Sequence, residues 1–446
     1  MYKELILSQV RIESQKLKYE YRLDRRLFSK TFVFKNFHEL DLHQEIYSNA
    51  VNYLGIIAAL PYFRLLPRKF VSEVISLDDY DINFFRELFL NGLGQFFYQR
   101  RFSFEKFPII ESRSRRAPKS IQSDELDCTK AIIANGGGKD GAVAYKLLGG
   151  CGVHGKTFTG FLRKPDKGLN QKSWEQRVDF ARSLNEDSEE GYIVERFDDT
   201  RSIDTIYRNA RDFYPHLYTY AFQMLIAALY SKSKFIVVAN EKSSDAGNCI
   251  WQGQEINHQY SKSFVAEKKI FQFFQKKINS NVFFFSALSP VYGIKAVKAF
   301  THYYDLLLKF NGCNRSPSWC CSCSKCAFIF LLLSAYIDDY SVVSNQVFGE
   351  DLLKKPSLLP TFIDLMGKGE IKPFECVGEP EEAWLALEKL VKRGEKNPVT
   401  KFYKDKIRPN IKNKLPQIES KLFGVYETYN FPHEIKDCLL KELKNI

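Results

Sequence analysis

The sequence predicts an α/β protein built on a doubly wound parallel sheet, with an α+β N-terminal domain, a zinc knuckle and a helical C-terminal region. Three observations carry that expectation. From residue 128 onward, short and almost continuous apolar runs alternate with longer helical patterns, as expected of strands covered on both faces and joined by crossover helices. The first run opens into Ala131-Ile132-Ile133-Ala134-Asn135-Gly136-Gly137-Gly138-Lys139-Asp140-Gly141, a strand feeding a glycine-rich turn and then a helix. Five of the ten cysteines, Cys313, Cys320, Cys321, Cys323 and Cys326, crowd into one short stretch.

Residues 1–115 form the first expected unit, an α+β domain and a candidate substrate-binding domain. Aromatic and charged residues alternate here, as in Phe32-Val33-Phe34, Tyr62-Phe63-Arg64-Leu65-Leu66 and Phe96-Phe97-Tyr98, a pattern that strands and short helices both satisfy. Arg113 to Asp127 is polar, contains Pro118 and reads as a linker. The second unit, 116–340, is the expected catalytic domain. Its strands are expected at 131–134, 156–162, 191–194, 235–239 and 282–286, and its helices at 141–148, 173–184, 217–231, 260–277 and 294–310. Residues 341–446 are lysine-rich and helical, interrupted at Pro356, Pro360 and Pro373. No internal repeat is visible.

Composition narrows the function. Met1-Tyr2-Lys3-Glu4-Leu5 lacks an apolar signal core. The longest mostly apolar run, Ala327 to Ile337, falls short of the ~20 residues that span a bilayer. The expectation is a cytoplasmic protein without membrane insertion. A net charge of +12 suits an anionic small molecule, such as a nucleotide-linked substrate, as well as it suits nucleic acid. The basic residues are scattered, and no arginine tract exceeds Arg113-Ser114-Arg115-Arg116, which speaks against nucleic acid. The oligomeric state is not written in the sequence.

Glycines at a strand–helix junction let a phosphate approach the backbone, while the helix's unpaired N–H groups and positive dipole end favour the anion. The loop is not a Gly-x-x-x-x-Gly-Lys-Ser/Thr motif, because no hydroxyl residue follows Lys139. A Gly-x-Gly-x-x-Gly reading of Gly136, Gly138 and Gly141 lacks its later acidic residue. A second polar stretch follows Phe235-Ile236-Val237-Val238. Within it Asn240 and Glu241 could bind a sugar or metal, and Asn257, His258 and Lys262 could hold anions or transfer protons. The bland alternative is a capped surface loop with Ser261 or Ser263 near a helix start. The cysteines Cys313, Cys320, Cys323 and Cys326 offer four thiolates on a turn-rich loop, the set that structural tetrahedral zinc takes, with an iron–sulfur cluster as competitor. A reducing cytosol disfavours disulfides, and Cys321 is expected to point away from the metal.

Strand–Gly-Gly-x-Asp–helix followed by a cysteine knuckle resembles the PP-loop ATP pyrophosphatases. Gly137, Gly138 and Asp140 match that family's loop, and Gly136 and Gly141 replace its two serines. A narrower set resembles the ATP-dependent UDP-N-acetylmuramoyl-L-alanyl-L-glutamate epimerases: Gly136 to Asp140, Ala239-Asn240-Glu241, Ile256 to Ser263, Cys313-Asn314-Arg315, Trp319-Cys320, Lys325-Cys326 and Lys372 to Pro380. The departures are Gly141 for Ser, Lys242 for Arg, Cys321 for Gly and Ser324 for Pro. The resemblance implies a sheet of PP-loop/HUP type, ATP and Mg2+ as cofactors beside the structural Zn2+, and the UDP-muramoyl dipeptide as substrate. It implies that Gly136, Gly137, Gly138 and Lys139 hold phosphates, that Asp140 positions magnesium or pyrophosphate, and that Asn240 and Glu241 complete the nucleotide site. Lys262 and Arg315 would neutralise the substrate's anionic groups, and His258, Cys376 and Glu375 are candidates for proton transfer. Three other readings stay open: a PP-loop enzyme of deazaguanine synthesis, a tRNA-modifying PP-loop enzyme, and a nucleotide-binding regulator without turnover.

Overall fold

The computed structural model describes residues 2–120, 125–163, 169–185, 188–198 and 214–446. Twelve strands are present among them: β1 (Glu4–Glu13), β2 (Lys16–Leu23), β3 (Arg26–Lys35), β4 (Lys69–Ser72), β5 (Ile109–Ser112), β6 (Asp127–Ala134), β7 (His154–Arg163), β8 (Tyr192–Asp198), β9 (Ser233–Val238), β10 (Cys249–Trp251), β11 (Gln254–Ile256) and β12 (Phe283–Ser286). Ten of them form one sheet in the order β12-β9-β6-β7-β8-β3-β2-β1-β4-β5. The run β12-β9-β6-β7-β8 is parallel throughout, as the alternating pattern predicts. It meets the antiparallel β3-β2-β1 meander at the β8–β3 pair, and β4 and β5 then add parallel to β1.

Both faces of the parallel part are covered. Ala131, Ile133, Phe235, Val237 and Phe285 point into a core shared with the helices Lys139–Gly150, Gly293–Phe300, Ser324–Tyr336 and Pro380–Lys392. Ile132, Phe158, Val194, Ile236 and Phe284 point the other way, against the helices Ser48–Ala58, Leu217–Ser231 and Phe264–Lys277. Leu217–Ser231 is buried almost all round, which explains why its sequence carries no polar stripe. No helix among the described residues is long and apolar enough to cross a membrane.

Several boundaries differ from expectation, each for a local reason. The helix expected over 141–148 spans Lys139–Gly150, with Gly138 capping it in an extended conformation. The helix expected over 260–277 begins only at Phe264: Tyr260–Lys262 forms a 3₁₀ turn, and Ser263 caps the helix by accepting from the Ala266 N–H. The helix expected over 294–310 stops at Phe300 and resumes for one turn at Tyr304–Leu307. Phe32–Phe34 lies in a strand, whereas Tyr62–Phe63 and Phe96–Tyr98 are helical. No strand or helix occupies 113–120 or 125–126 of the expected linker; 121–124 lie outside the described residues. A disulfide joins Cys151, after the Lys139–Gly150 helix, to Cys438 in the last helix, contrary to the expectation of free thiols. Those two cysteines lie 287 residues apart, so no local spacing announced the pair.

The seam between the two halves buries charge. Lys30 on β3 lies 3.8 Å from Asp198 on β8, and Arg196 Nε lies 3.2 Å from the same carboxylate. Burial, helped by the neighbouring Arg196 and Arg64 charges and opposed by Asp198, lowers Lys30 to about 7. The unfolded chain therefore holds one more proton than the folded chain between about pH 7 and the ordinary lysine range, and stability from this group rises with pH across that window. Lys30→Met should flatten that rise, read as the pH dependence of the thermal midpoint against wild type. Parallel curves for the two proteins would show that Lys30 is charged in the folded state.

Candidate functional site

The glycine loop leaves β6 at the carboxyl edge of the parallel strands, where ligands bind in open α/β sheets. Asn135 shapes it: its Oδ1 accepts from the Gly137 N–H at 3.0 Å, and its Nδ2 donates to Thr159 Oγ1 and to the Arg177 carbonyl. Gly137 has φ +75°, a conformation that favours glycine. A Cβ on Gly136 or Gly138 would meet nothing within 4 Å, so this side of the loop is open. No side chain caps the helix start, which leaves its first N–H groups without a capping side chain. Gly141 faces the opposite constraint. A Cβ there would lie 2.9 Å from the Ala134 carbonyl oxygen, too close for any side chain without backbone movement. The loop is drawn too tightly onto β6 to hold the serine that the resemblance leads one to expect.

Buried charges converge around this opening. Lys139 is buried and ion-paired with Asp140. Asp140 and Glu241 raise Lys139 against the downward pull of burial. Burial, followed by the Asp140 charge, pushes Glu241 up. Lys262 Nζ stands 3.5 Å from Cys376 Sγ. Burial pulls Lys262 down, but Cys376, Glu241 and Asp140 more than offset it. Burial alone would raise the Cys376 thiol; Lys262, a hydrogen bond with His258 and the nearby Lys325 reverse this and bring it to about 5. Cys376 is thus a thiolate at neutral pH, the reactive form of the residue.

The structure brings Lys139, Asp140, Glu241, His258, Lys262 and Cys376 into one network. The other expected residues play different parts. Asn240 is buried and its backbone exchanges hydrogen bonds with the Ser286 hydroxyl. Asn257 uses its amide inside the loop, donating to the Ser244 carbonyl and accepting from the Gln259 N–H. Arg315 and Glu375 pair with each other. Residues not singled out from sequence also enter. Burial lowers Lys325 and Lys372. Burial likewise pushes Glu382 up to about 7, although it accepts from the Ile294 and Glu379 N–H groups. Lys325 and Lys372 lie inside segments that carry the resemblance, so their neighbourhood was visible though their roles were not.

The sulfur atoms of Cys313, Cys320, Cys323 and Cys326 all lie within 4.8 Å of one another. Four thiolates at the zinc–sulfur distance of a tetrahedral site would stand about 3.8 Å apart, so the donor set suits such an ion in chemistry and is close to it in spacing. Cys321 takes φ +49° and turns its thiol to the Phe348 carbonyl, away from the cluster. The knuckle is wired to both halves of the site. The Asn311 N–H donates to the Gly137 carbonyl at 2.9 Å, while Asn311 Oδ1 accepts from the Cys313 N–H at 2.8 Å. On the other side, Glu375 accepts from the Lys325 N–H at 2.8 Å and pairs with Arg315, which fixes the residue next to Cys376.

The sequence model of the MurL N-terminal domain matches residues 3–186 and 219–287, and that of the MurL C-terminal domain matches 308–415. The chain belongs to the MurL family. A relative from Xanthomonas oryzae pv. oryzae, named UDP-N-acetyl-alpha-D-muramoyl-L-alanyl-L-glutamate epimerase, is 26% identical over 391 residues, covering 83% of this chain and 81% of that protein. A protein of the same name from a Micromonospora strain is 27% identical over 353 residues, 76% of this chain and 74% of its own. A third, from Salinispora tropica, is 35% identical over 162 residues, 35% of either chain. No solved structure matches. Within this MurL chain, the matched N-terminal segments carry the glycine loop, His258 and Lys262, and the matched C-terminal segment carries the knuckle and Cys376.

The tight contact at Gly141 has a measurable consequence. Gly141→Ser should destabilise the fold by ~1–2 kcal/mol, the scale of a side chain forced into a packed contact, as read by the denaturant midpoint. An unchanged midpoint would show instead that the loop relaxes to accept the hydroxyl.

Proposed function

We propose that this chain is an ATP-dependent epimerase that inverts the terminal L-glutamate of UDP-N-acetylmuramoyl-L-alanyl-L-glutamate, serving peptidoglycan precursor synthesis. Membership of the MurL family and the shared name of its relatives support the reaction class. The observation that carries the chemistry is the meeting of an open anion cradle at Gly136–Gly138 with a buried thiolate at Cys376, in one charge network.

A Cα proton beside a carboxylate is very weakly acidic, because its removal places a second negative charge beside the first. Converting that carboxylate into an acyl-adenylate, with ATP split to AMP and pyrophosphate, removes the first charge. The PP-loop reading assigns that step to the glycine loop. Gly136, Gly137, Gly138 and Lys139 hold phosphate oxygens through the open helix start and the buried ammonium. Asp140 and Glu241 would supply carboxylates to Mg2+, which would offer charge neutralisation to the phosphates when bound. Cys376, held as thiolate by Lys262 and His258, accepts the Cα proton on one face. Lys262, Lys325 and Lys372 supply positive charge for the enolate-like anion that follows. The N-terminal region, 1–115, holds the UDP-sugar end. Zn2+ held by the four cysteines would be structural, because four protein ligands would leave no position for substrate.

The test combines product and mutant. Purified protein given ATP, Mg2+ and the UDP-muramoyl dipeptide should form D-glutamate, found after acid hydrolysis, with one AMP per inversion. Asp140→Ala should lower AMP formation at least about a hundredfold, the scale of a lost metal or phosphate contact. Pyrophosphate release unchanged in that variant, or ATP consumed without D-glutamate, sinks the reading.

A further inference from the structure

The Gly94–Gln99 helix belongs to the N-terminal region, yet Gln95 lies against His258, 163 residues further along the chain. Gln95 Oε1 stands 2.6 Å from His258 Nδ1, and both residues are buried, at 7% and 8% exposure. The other end of the same amide matches that orientation. Gln95 Nε2 donates to Gln99 Oε1 at 3.1 Å, so the carbonyl oxygen, which can only accept, faces the imidazole. His258 Nδ1 must then carry the hydrogen, which leaves Nε2 as the nitrogen able to take a proton. The main chain beneath the ring is held as well, because the His258 backbone N–H donates to Asn248 Oδ1 at 2.7 Å.

The neighbourhood is built for this approach. A Cβ on Gly94 would lie 3.3 Å from Ile256 Cδ1, so the helix start packs directly on the strand that leads to His258. Tyr98, on the same helix, makes ring contacts with Trp251 of β10 and with Phe374, two residues before Cys376. The short helix therefore braces both the histidine-bearing and the thiol-bearing segments.

We propose that Gln95 is a positioning residue: it fixes the tautomer of His258 so that Nε2 is the ring nitrogen that takes the Cys376 thiol proton. The S–H bond breaks, the N–H bond forms, and no other reactant is consumed. The charges facing Cys376 are those of Lys262, Lys325, Lys372 and His258; the adjacent Glu375 carboxylate is engaged by Arg315 and the Lys325 N–H. Removing the Gln95 acceptor would free the ring to rotate or to place its hydrogen on Nε2, and the thiolate would then keep the lysine charges but lose the histidine. The role of Cys376 as proton acceptor rests on the function proposed above; the Gln95–His258–Cys376 coupling is read without turnover.

The experiment is alkylation of the full-length protein by iodoacetamide at pH 6, with Cys376 followed by peptide mass spectrometry. Gln95→Leu should slow Cys376 alkylation about tenfold at pH 6, the thiolate fraction lost when a thiol at about 5 rises by about two pKa units, and leave the rate at pH 9.5 unchanged. Gln95→Glu, which keeps an acceptor at Nδ1, should restore the fast rate at pH 6. Zinc content should stay at the wild-type value in both variants, which separates a local effect from loss of the fold. Equal rates for wild type and Gln95→Leu at pH 6, or failure of Gln95→Glu to recover when Gln95→Leu is slow, overturns the proposal. If Gln95 controls alkylation but Cys376→Ser epimerises at the wild-type rate, the relay stands and the catalytic role given to Cys376 falls.

Discussion

Asn311 is the pin on which the site turns. Its backbone N–H ties the glycine loop at Gly137, its side-chain oxygen ties the knuckle at Cys313, and its amide nitrogen reaches the Pro317 carbonyl and Gln176. A loop open to an anion needs a backbone that keeps its shape without a side chain to prop it. Gly137 at positive φ supplies the shape but also the freedom to lose it. Rigidity has to come from outside the loop, and Asn135 and Asn311 bring it from two sides. The cysteine cluster gains a purpose beyond local folding, since the segment it closes also fixes Glu375 beside the reactive thiol. One ordered loop sets the distance between the cradle and Cys376.

Charge balance imposes a second condition. Lys139, Lys262, Lys325 and Lys372 share their surroundings with Asp140, Glu241, Glu382 and Cys376. Isolated buried charges cost too much to persist, and matched ones are held by their neighbours. Glu382 is the adjustable member, because burial places it near neutrality. An anion entering the cradle would raise its proton affinity further, and each proton taken up leaves one lysine charge for the ligand. The same positive charge that looked like a scattered surface excess in composition is, at these four lysines, a compensated interior.

What could be read from sequence was whatever is written locally. The glycine loop, the parallel strands and the four metal-type cysteines each depend on residues a few positions apart, and their spacing survives in the fold. The knuckle was legible down to Cys321, which turns away as its place between two ligands implied. Contacts made across the sheet were not. Nothing near Gln95 marks it as a partner of His258, and Glu382 looks like an ordinary helix N3 glutamate until Gly293–Phe300 docks its free N–H groups against it. The break after Phe300 and the Cys151–Cys438 pair are likewise settled by packing between distant segments. Gly141 shows the reverse: a departure from the resemblance that weakened the phosphate argument becomes intelligible once the Ala134 carbonyl is seen beside it.

The N-terminal region then has a structural reason to be part of the site. A parallel sheet ending at β8 would expose a long row of backbone groups, and β3 covers that edge by pairing antiparallel with it. The sheet finishes instead on β12 and β5, each only four residues long, which limits what an unpaired edge can recruit. Once β3, β2 and β1 extend the sheet, their helices must bury an apolar face, and the face available is the one already lined by Leu217–Ser231 and Phe264–Lys277. Lys277 locks that docking through Asp78 and Asp81 at the start of Asp79–Gly92. The next helix along the chain is Gly94–Gln99, which arrives over β11 with Gln95 aimed at His258. The need to cover one strand edge therefore carries a glutamine from the far end of the sheet to the imidazole beside the reactive thiol.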